Sequence, residues 1–403
     1  MQWRRDEDAR ASRQTRAPRG RHASLAAEGE RPRRHRICAP IVNTIGVRCL
    51  FLFYFICLLA VSVPGQTIIG YYAGDASGID DYPVFKLTHI IYSFCYLKGS
   101  RLRPGGKADS LTIKKLAGLK DKYPGLKVLV SLGGWGGCRT CSAIFSREKG
   151  REEFAASVAE LTHAFHTDGI DIDWEFPALP AYPGYPYSPA DRENLTALLK
   201  ALKSRLGPDK EVSLTAAGFS PYLEGSVDWR RVALIADRIQ LMTYDMIGSR
   251  NKYTGHHTPL YSTLWQQEST DRSVRYLDSM GVPLGKVVIG IAFYAREFVG
   301  VGGASAHGLY QPGRFRRFVP MKQMRKEFTA SRGYIAYWDS AAQSPYSYNA
   351  DRRVFLTYDN ERSIAAKTRY VREKGLNGVM FWQLRLDISR NGLLDALYKG
   401  LRQ

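Results

Sequence analysis

The order of residues predicts an α/β fold, a closed (β/α)8 barrel of the TIM type with a small α+β insertion between its seventh and eighth strands. Three observations support this. From Gln66 onward, short β-branched or aromatic runs alternate with amphipathic helical segments, the pattern of a parallel sheet with helical crossovers. Eight such runs can be counted, which fits a closed barrel better than an open doubly wound sheet. The chain of 403 residues is long enough for a barrel of about 250 residues with a tail and an insertion.

The predicted strands are residues 67–73 (TIIGYYA), 88–96 (THIIYSFCY), 127–133 (KVLVSLG), 169–175 (GIDIDWE), 212–218 (VSLTAAG), 238–244 (RIQLMTY), 286–293 (KVVIGIAF) and 377–383 (NGVMFWQ). Between them, REEFAASVAELTHAF keeps an apolar face at helical spacing. SPADRENLTALLKALKSRL reads as a helix with Ser188 as its cap, Pro189 at the first helical position and Asp191 completing a start that resembles a capping box. Residues 296–365 break the rhythm with strand-like and helical stretches of their own. An insertion there follows a strand and so lies on the C-terminal face of the barrel, where it can wall a cleft.

The N-terminal region reads differently. Residues 1–48 hold twelve arginines, no lysine and five acidic residues, and are expected to be a basic, disordered extension. They account for +7 of the formal charge of +20, and the remainder shows no long basic run. Nucleic-acid binding would rest on net charge alone and is not expected. Residues 49–65 carry the uncharged stretch CLFLFYFICLLAVSV, Cys49 to Val63, followed by PGQ. Fifteen residues fall short of the roughly 20 needed to span a bilayer, so a signal-peptide core cleaved near Gly65 is expected. The product would be secreted or periplasmic, a membrane anchor through 49–63 being the alternative. No Met lies between Met1 and this stretch, which suggests that the start is assigned too far upstream. The barrel is expected to occupy residues 66–403.

Of six cysteines, Cys38, Cys49 and Cys57 lie in the tail or the apolar segment, leaving Cys95 and the pair Cys138 and Cys141. The pair is read as a local disulfide or two free thiols, since a four-cysteine zinc site needs a second pair. No metal and no cofactor is expected.

The segment DGIDIDWEFP, Asp168 to Pro177, carries the chemistry. Asp171, Asp173 and Glu175 occupy alternate strand positions and therefore share one face. Ile170, Ile172 and Trp174 then face the helices, so the three carboxyls point into the barrel with Glu175 nearest the C-terminal mouth. Crowded, desolvated carboxyls raise one another's pKa, which is costly for stability. Their use is to keep one acid protonated near neutral pH while a neighbour stays ionised, as general-acid catalysis requires. A divalent-cation site and a structural hydrogen-bond network are the minor alternatives. Asp168 is expected to stabilise the strand entrance.

The pattern D-x-x-D-x-D-x-E resembles the signature of glycoside hydrolase family 18, the chitinases and their relatives. Further resemblance lies in SLGGW (Ser131 to Trp135), MTYD (Met242 to Asp245), FYAR ending the seventh strand and GVMFW (Gly378 to Trp382), and it covers about residues 66–400. SLGGWGG lacks the endings of a phosphate loop or dinucleotide site; close backbone packing, with Trp135 offered to a sugar face, suits it better.

The resemblance implies hydrolysis of β-1,4-linked N-acetylglucosamine polymers with retention, the substrate's acetamido oxygen acting as nucleophile. Glu175 would be the general acid and base, Asp173 would orient the acetamido group, and Asp171 would share a proton with Asp173. Tyr71 and Ser131 would hydrogen-bond the buried pair. Tyr244 would donate to the acetamido oxygen, Asp245 would contact the distorted sugar, and Trp382 would form the floor beneath it. Phe94, Met242 and Arg296 are further implied as substrate-binding residues.

Departures from the family occur at MIGSRNKYTGHH, where Arg250 stands near a place often held by an aromatic residue, and at Ala295 and Gln383. His256 and His257 are candidates for the cleft wall, with no third ligand at metal-binding spacing. The expected partner is chitin or its oligosaccharides, bound by a monomer without stable membrane association. The alternatives are an endo-β-N-acetylglucosaminidase, a peptidoglycan-directed hydrolase or a non-catalytic chitin-binding lectin; retention of Glu175 favours an enzyme over the lectin.

Overall fold

The computed structural model describes residues 65–302 and 307–402, so the readings of the N-terminal extension and the apolar segment fall outside the described residues. Eight strands form the barrel: β1 (Thr67–Tyr72), β2 (His89–Lys98), β4 (Lys127–Gly133), β5 (Gly169–Asp173), β6 (Glu211–Ala217), β7 (Arg238–Met242), β8 (Val287–Ala292) and β14 (Gly378–Trp382). All are parallel. They run in the order β1-β14-β8-β7-β6-β5-β4-β2, and the pairing of β1 with β2 closes the ring. Each predicted strand is present with ends shifted by two residues or fewer.

Alternation along the strands separates two cores. Ile69, Tyr71, Ile91, Leu129, Val288 and Met380 pack inside the barrel. Ile68, Ile90, Val128, Ile170, Ile172 and Val379 point outward against the helices, among them α1 (Lys107–Lys122), α3 (Glu148–Phe165) and α4 (Asp191–Leu206). Trp174 joins this outer layer at 4 % exposure, which leaves the odd-numbered acidic positions of β5 facing inward. Pairing on β5 ends at Asp173, so Glu175 stands just past the strand, at the mouth.

Helix α4 begins at Asp191 instead of at Pro189, with Ala190 as N-cap and no side-chain cap. The physical reason is the fully buried Asp191 carboxylate, which accepts from Ser188 N (2.8 Å) and Ser142 Oγ (2.9 Å) and holds residues 188–190 in a turn ahead of the helix. A short strand β3 (Arg101–Arg103), absent from the sequence reading, folds back antiparallel on β2.

The insertion is a five-stranded antiparallel sheet in the order β10-β9-β13-β12-β11, formed by β9 (Tyr294–Val299), β10 (Arg314–Pro320), β11 (Ile335–Asp339), β12 (Ser344–Asn349) and β13 (Val354–Thr357). FYAR therefore does not end the seventh barrel strand. The chain leaves β8 after Ala292, and Phe293 donates its N–H to Trp382 O (3.0 Å) and stacks on Phe381 at 4.1 Å. Tyr294, Ala295 and Arg296 then already belong to the second sheet, which puts them beside the barrel mouth.

Candidate active site

Three mouth-facing layers build the site on β5. Deepest is Asp171, fully buried. Its Oδ2 accepts from Tyr71 OH (3.1 Å), Ser131 Oγ (2.8 Å) and Thr215 Oγ1 (3.0 Å), and its Oδ1 from Ser213 Oγ (2.7 Å) and Gln240 Nε2 (2.9 Å). Burial raises the Asp171 pKa, and these donors pull against that rise. Of the donors, Tyr71 and Ser131 were anticipated. Ser213, Thr215 and Gln240 were not, although V-S-L-T on β6 places its polar residues at the inward positions of an alternating strand.

Above it, Asp173 is 4 % exposed, and its Oδ1 has no hydrogen-bond partner among the described residues. Burial, then Glu175, then Asp171 push its pKa well up. An uncommitted buried carboxyl oxygen costs free energy. Glu175 tops the stack, its pKa pushed up to about 8 by burial and by the negative charge of Asp245. At neutral pH it holds its proton and can act as a general acid.

The turn after β4 permits this stacking. Gly133 has φ +118°, and a Cβ there would meet Asp173 O at 2.0 Å. The glycine lets the SLGGW loop cross directly over the acidic strand, with Gly134 N donating to Asp173 O at 2.9 Å.

The carboxyls open into a cleft of about 710 Å³. It is lined by Tyr71, Phe94, Trp135, Asp173, Glu175, Met242, Tyr244, Asp245, Arg296 and Trp382, so ten of the twelve expected site residues meet there. Asp171 and Ser131 lie beneath it, fully buried. Phe176, Leu179, Pro180, Thr215, Phe219, Pro221, Gly248, Ser249, Arg250, Asn251, Tyr294 and Phe318 complete the wall. Arg250 is thus at the cleft. Tyr294 and Phe318 come from the insertion, whose strand boundaries sequence periodicity did not resolve.

Trp382 stacks on Phe94 at 5.6 Å and lies 5.9 Å from Tyr71, forming an apolar floor. Burial, then Asp173 and Asp245, raise the pKa of Tyr244, whose hydroxyl stays a donor. Asp245 is held in a fork: Arg296 Nε reaches Oδ1 at 2.7 Å and a terminal nitrogen reaches Oδ2 at 2.6 Å, while Tyr294 OH donates to Oδ1 at 2.5 Å. Desolvation raises the Asp245 pKa, but His257 and Arg296 outweigh it and hold the carboxylate ionised far below its usual range. The site therefore sets a protonated Glu175 against an anionic Asp245.

His256 and His257 do not line the cleft, contrary to the sequence reading. Both are fully buried, because residues 254–260 tuck under the inserted sheet through Thr254 N to Gln311 O (2.8 Å), His257 N to Thr357 Oγ1 (3.0 Å) and Leu260 N to Ala342 O (3.0 Å). His256 Nε2 lies 3.0 Å from Asp339, and His257 Nδ1 sits behind Asp245 at 3.6 Å. Asp168 has the entrance role expected of it, accepting from Val128 N (2.7 Å) and Lys120 Nζ (2.9 Å). Cys138 and Cys141 form a disulfide beside the SLGGW loop, and Cys95 is a buried free thiol. Among the described residues, no cluster of His, Cys, Asp and Glu is arranged to hold a metal.

Comparison with known proteins adds the lineage. The sequence model described as glycosyl hydrolases family 18 matches residues 67–387. Chitinase A1 of Niallia circulans is 32 % identical over 315 residues, covering 72 % of this chain and 44 % of that protein. Chitinase ChiA of Flavobacterium johnsoniae is 28 % identical, over 87 % of this chain and 28 % of its own length. The chain thus spans less than half the length of either relative. Among solved structures, a family 18 N-acetylglucosaminidase from Paenibacillus barengoltzii superposes with a TM-score of 0.76 at 34 % identity, covering 83 % of this chain and 99 % of that one. With its signature carboxyls stacked at the mouth of a parallel barrel and the family match running over most of its length, the chain belongs to the glycosyl hydrolases family 18.

Proposed function

We propose that this protein is a chitinase, hydrolysing β-1,4-linked N-acetylglucosamine polymers with retention of configuration. The observation that carries the reading is the pairing of a Glu175 protonated up to about pH 8 with a buried Asp173 that lines the cleft and whose Oδ1 has no partner among the described residues. Glu175 gives its proton to the glycosidic oxygen as that bond breaks. The acetamido carbonyl oxygen of the sugar over Trp382 attacks the anomeric carbon from the opposite face, closing an oxazolinium ring. Asp173, its proton shared with Asp171 below it, accepts the acetamido N–H and offsets the positive charge of that ring. Tyr244 donates to the acetamido oxygen, while Asp245, fixed by Arg296, holds the sugar. The ionised Glu175 then takes a proton from water, which opens the ring with the original configuration.

Names of relatives favour the same substrate linkage, and one of them favours a second reading of its mode. The Paenibacillus barengoltzii protein, matched along almost its whole length, is titled an N-acetylglucosaminidase, which suggests release of single sugars. Export through residues 49–63 is part of the proposal, and N-terminal sequencing of the mature protein should begin near residue 65.

Product release from chitin oligomers and from peptidoglycan, with and without Glu175→Gln, tests the assignment. Oligomer cleavage abolished by the substitution is expected, with products of one sugar or of two and more separating the two modes. Cleavage of peptidoglycan alone would move the substrate, and oligomer binding without turnover by the unsubstituted chain would identify a lectin.

A further inference from the structure

Charge is unevenly answered along the cleft. Five of its lining residues are acidic or basic: Asp173 and Glu175 in the carboxyl stack, and Asp245, Arg250 and Arg296 on the wall formed by the loop after β7 and by β9. Asp245 and Arg296 answer each other, a terminal guanidinium nitrogen lying 2.6 Å from Oδ2. Arg250 is exposed, and among the described residues no carboxylate pairs with it. One positive charge therefore stands open on the cleft wall.

The backbone that carries this charge is held in place. Residues Gly248 to Asn251 make a tight turn, in which Asn251 N donates to Gly248 O at 3.1 Å and Gly248 N donates to Asn251 Oδ1 at 2.7 Å. The Arg296 guanidinium packs so closely against Gly248 that a Cβ there would overlap it. The turn thus rests on the Asp245–Arg296 pair, while the Arg250 guanidinium keeps its charge for whatever enters the cleft. An arginine on a convex surface is solvated and screened, whereas a charge on a cleft wall acts on every ligand that the cleft admits.

We propose that Arg250 is a specificity-determining residue that works by charge, disfavouring chains in which the sugar unit it faces has lost its acetyl group. This rests on the chitin-hydrolysing reading of the cleft. An N-acetylglucosamine unit is uncharged, whereas a glucosamine unit carries an ammonium group at mildly acidic pH. Beside an unpaired guanidinium that ammonium meets like-charge repulsion, which the acetylated unit does not. The acetamido nucleophile already demands an acetyl group on the reacting sugar over Trp382, and Arg250 extends the demand to a neighbouring unit. The protein then favours acetylated chitin over partly deacetylated chains by more than the chemistry alone requires.

The test compares kcat/KM for chitohexaose and for partly deacetylated chitohexaose at mildly acidic pH, in the full chain and in its Arg250→Gln, Arg250→Glu and Arg250→Lys variants. The ratio of acetylated to deacetylated substrate should fall about threefold in Arg250→Gln, which removes the repulsion, and about tenfold in Arg250→Glu, which adds an attraction. Arg250→Lys keeps the charge and should keep the ratio. In about 1 M salt, where the screening length is about 3 Å, the variants should converge on the unsubstituted protein. An unchanged ratio in both Arg250→Gln and Arg250→Glu, or turnover of both substrates lost together, would overturn the charge filter alone. So would an equal fall in those two variants that persists in salt, which would make the effect steric. Failure of the unsubstituted chain to cleave chitohexaose would overturn the functional reading, and the filter with it.

Discussion

Two buried ionic clusters lie on the C-terminal side of the barrel, and they are built on opposite rules. In one, Lys367 Nζ contacts both oxygens of Asp359 at 2.8 Å and Thr258 Oγ1 at 2.6 Å, and Asp359 also accepts from Ala292 N (3.1 Å) and Ser363 Oγ (2.6 Å). Every charge there is answered, and the cluster ties the loop after β7 to β8 and to helix α9 (Glu361–Glu373). In the other, burial and the negative charges of Glu175 and Asp171 raise the pKa of Asp173, and its Oδ1 has no donor among the described residues. A satisfied cluster holds structure, whereas an unsatisfied one is kept for a ligand that supplies what is missing.

That contrast can be broken from either side. Lys367→Met leaves the Asp359 carboxylate buried and uncompensated and should cost about 3–5 kcal/mol in denaturant unfolding; a loss under about 1 kcal/mol would mean that the satisfied cluster does not hold the fold. Glu175→Gln should do the reverse and stabilise the protein at alkaline pH. The folded pKa of Glu175, about 8, lies above its ordinary 4.5, so its favourable contribution is complete below the ordinary value and is lost as pH rises through 8. Since glutamine does not titrate, the stability of the variant relative to the unsubstituted protein should grow by on the order of 4 kcal/mol between pH 5 and 9.

Smaller effects sharpen the comparison. Tyr71→Phe removes one of several donors to Asp171 and should cost only about 1 kcal/mol, because the remaining donors keep that carboxyl satisfied. Asp245→Asn removes an anion that raises the Glu175 pKa and should shift the alkaline limb of kcat/KM to lower pH, by less than about one unit.

The sequence disclosed most of this arrangement where a strict period carried it. Asp171, Asp173 and Glu175 sit at spacing two, and a period of two leaves no choice of face. Residues at strand ends, such as Trp382, Tyr244 and Trp135, were legible through the family resemblance, with barrel geometry placing strand ends at the mouth. The outcome was different where loops decide position. Whether His257 lines the cleft or lies behind Asp245 depends on contacts with Gln311, Thr357 and Ala342, between 54 and 100 residues away, and no local pattern encodes them. Tyr294 was hidden for a related reason: the run from Val287 to Ala295 reads as one apolar stretch, although the chain changes sheets at Phe293. The start of α4 was read in part: Asp191 accepts from Ser188 N and Ser188 Oγ from Ala190 N, as the cap reading expected, but the helix begins only at Asp191, whose carboxylate also answers a tertiary partner, Ser142.

The central claim is that burial and Asp245 keep Glu175 protonated through neutral pH. The pH dependence of kcat/KM on a chitin oligomer tests it most directly, since that ratio reports the free enzyme. The account predicts activity sustained through neutral pH and falling along an alkaline limb near 8. A limb falling near the ordinary glutamate value of 4.5, with activity already lost at neutral pH, would contradict it.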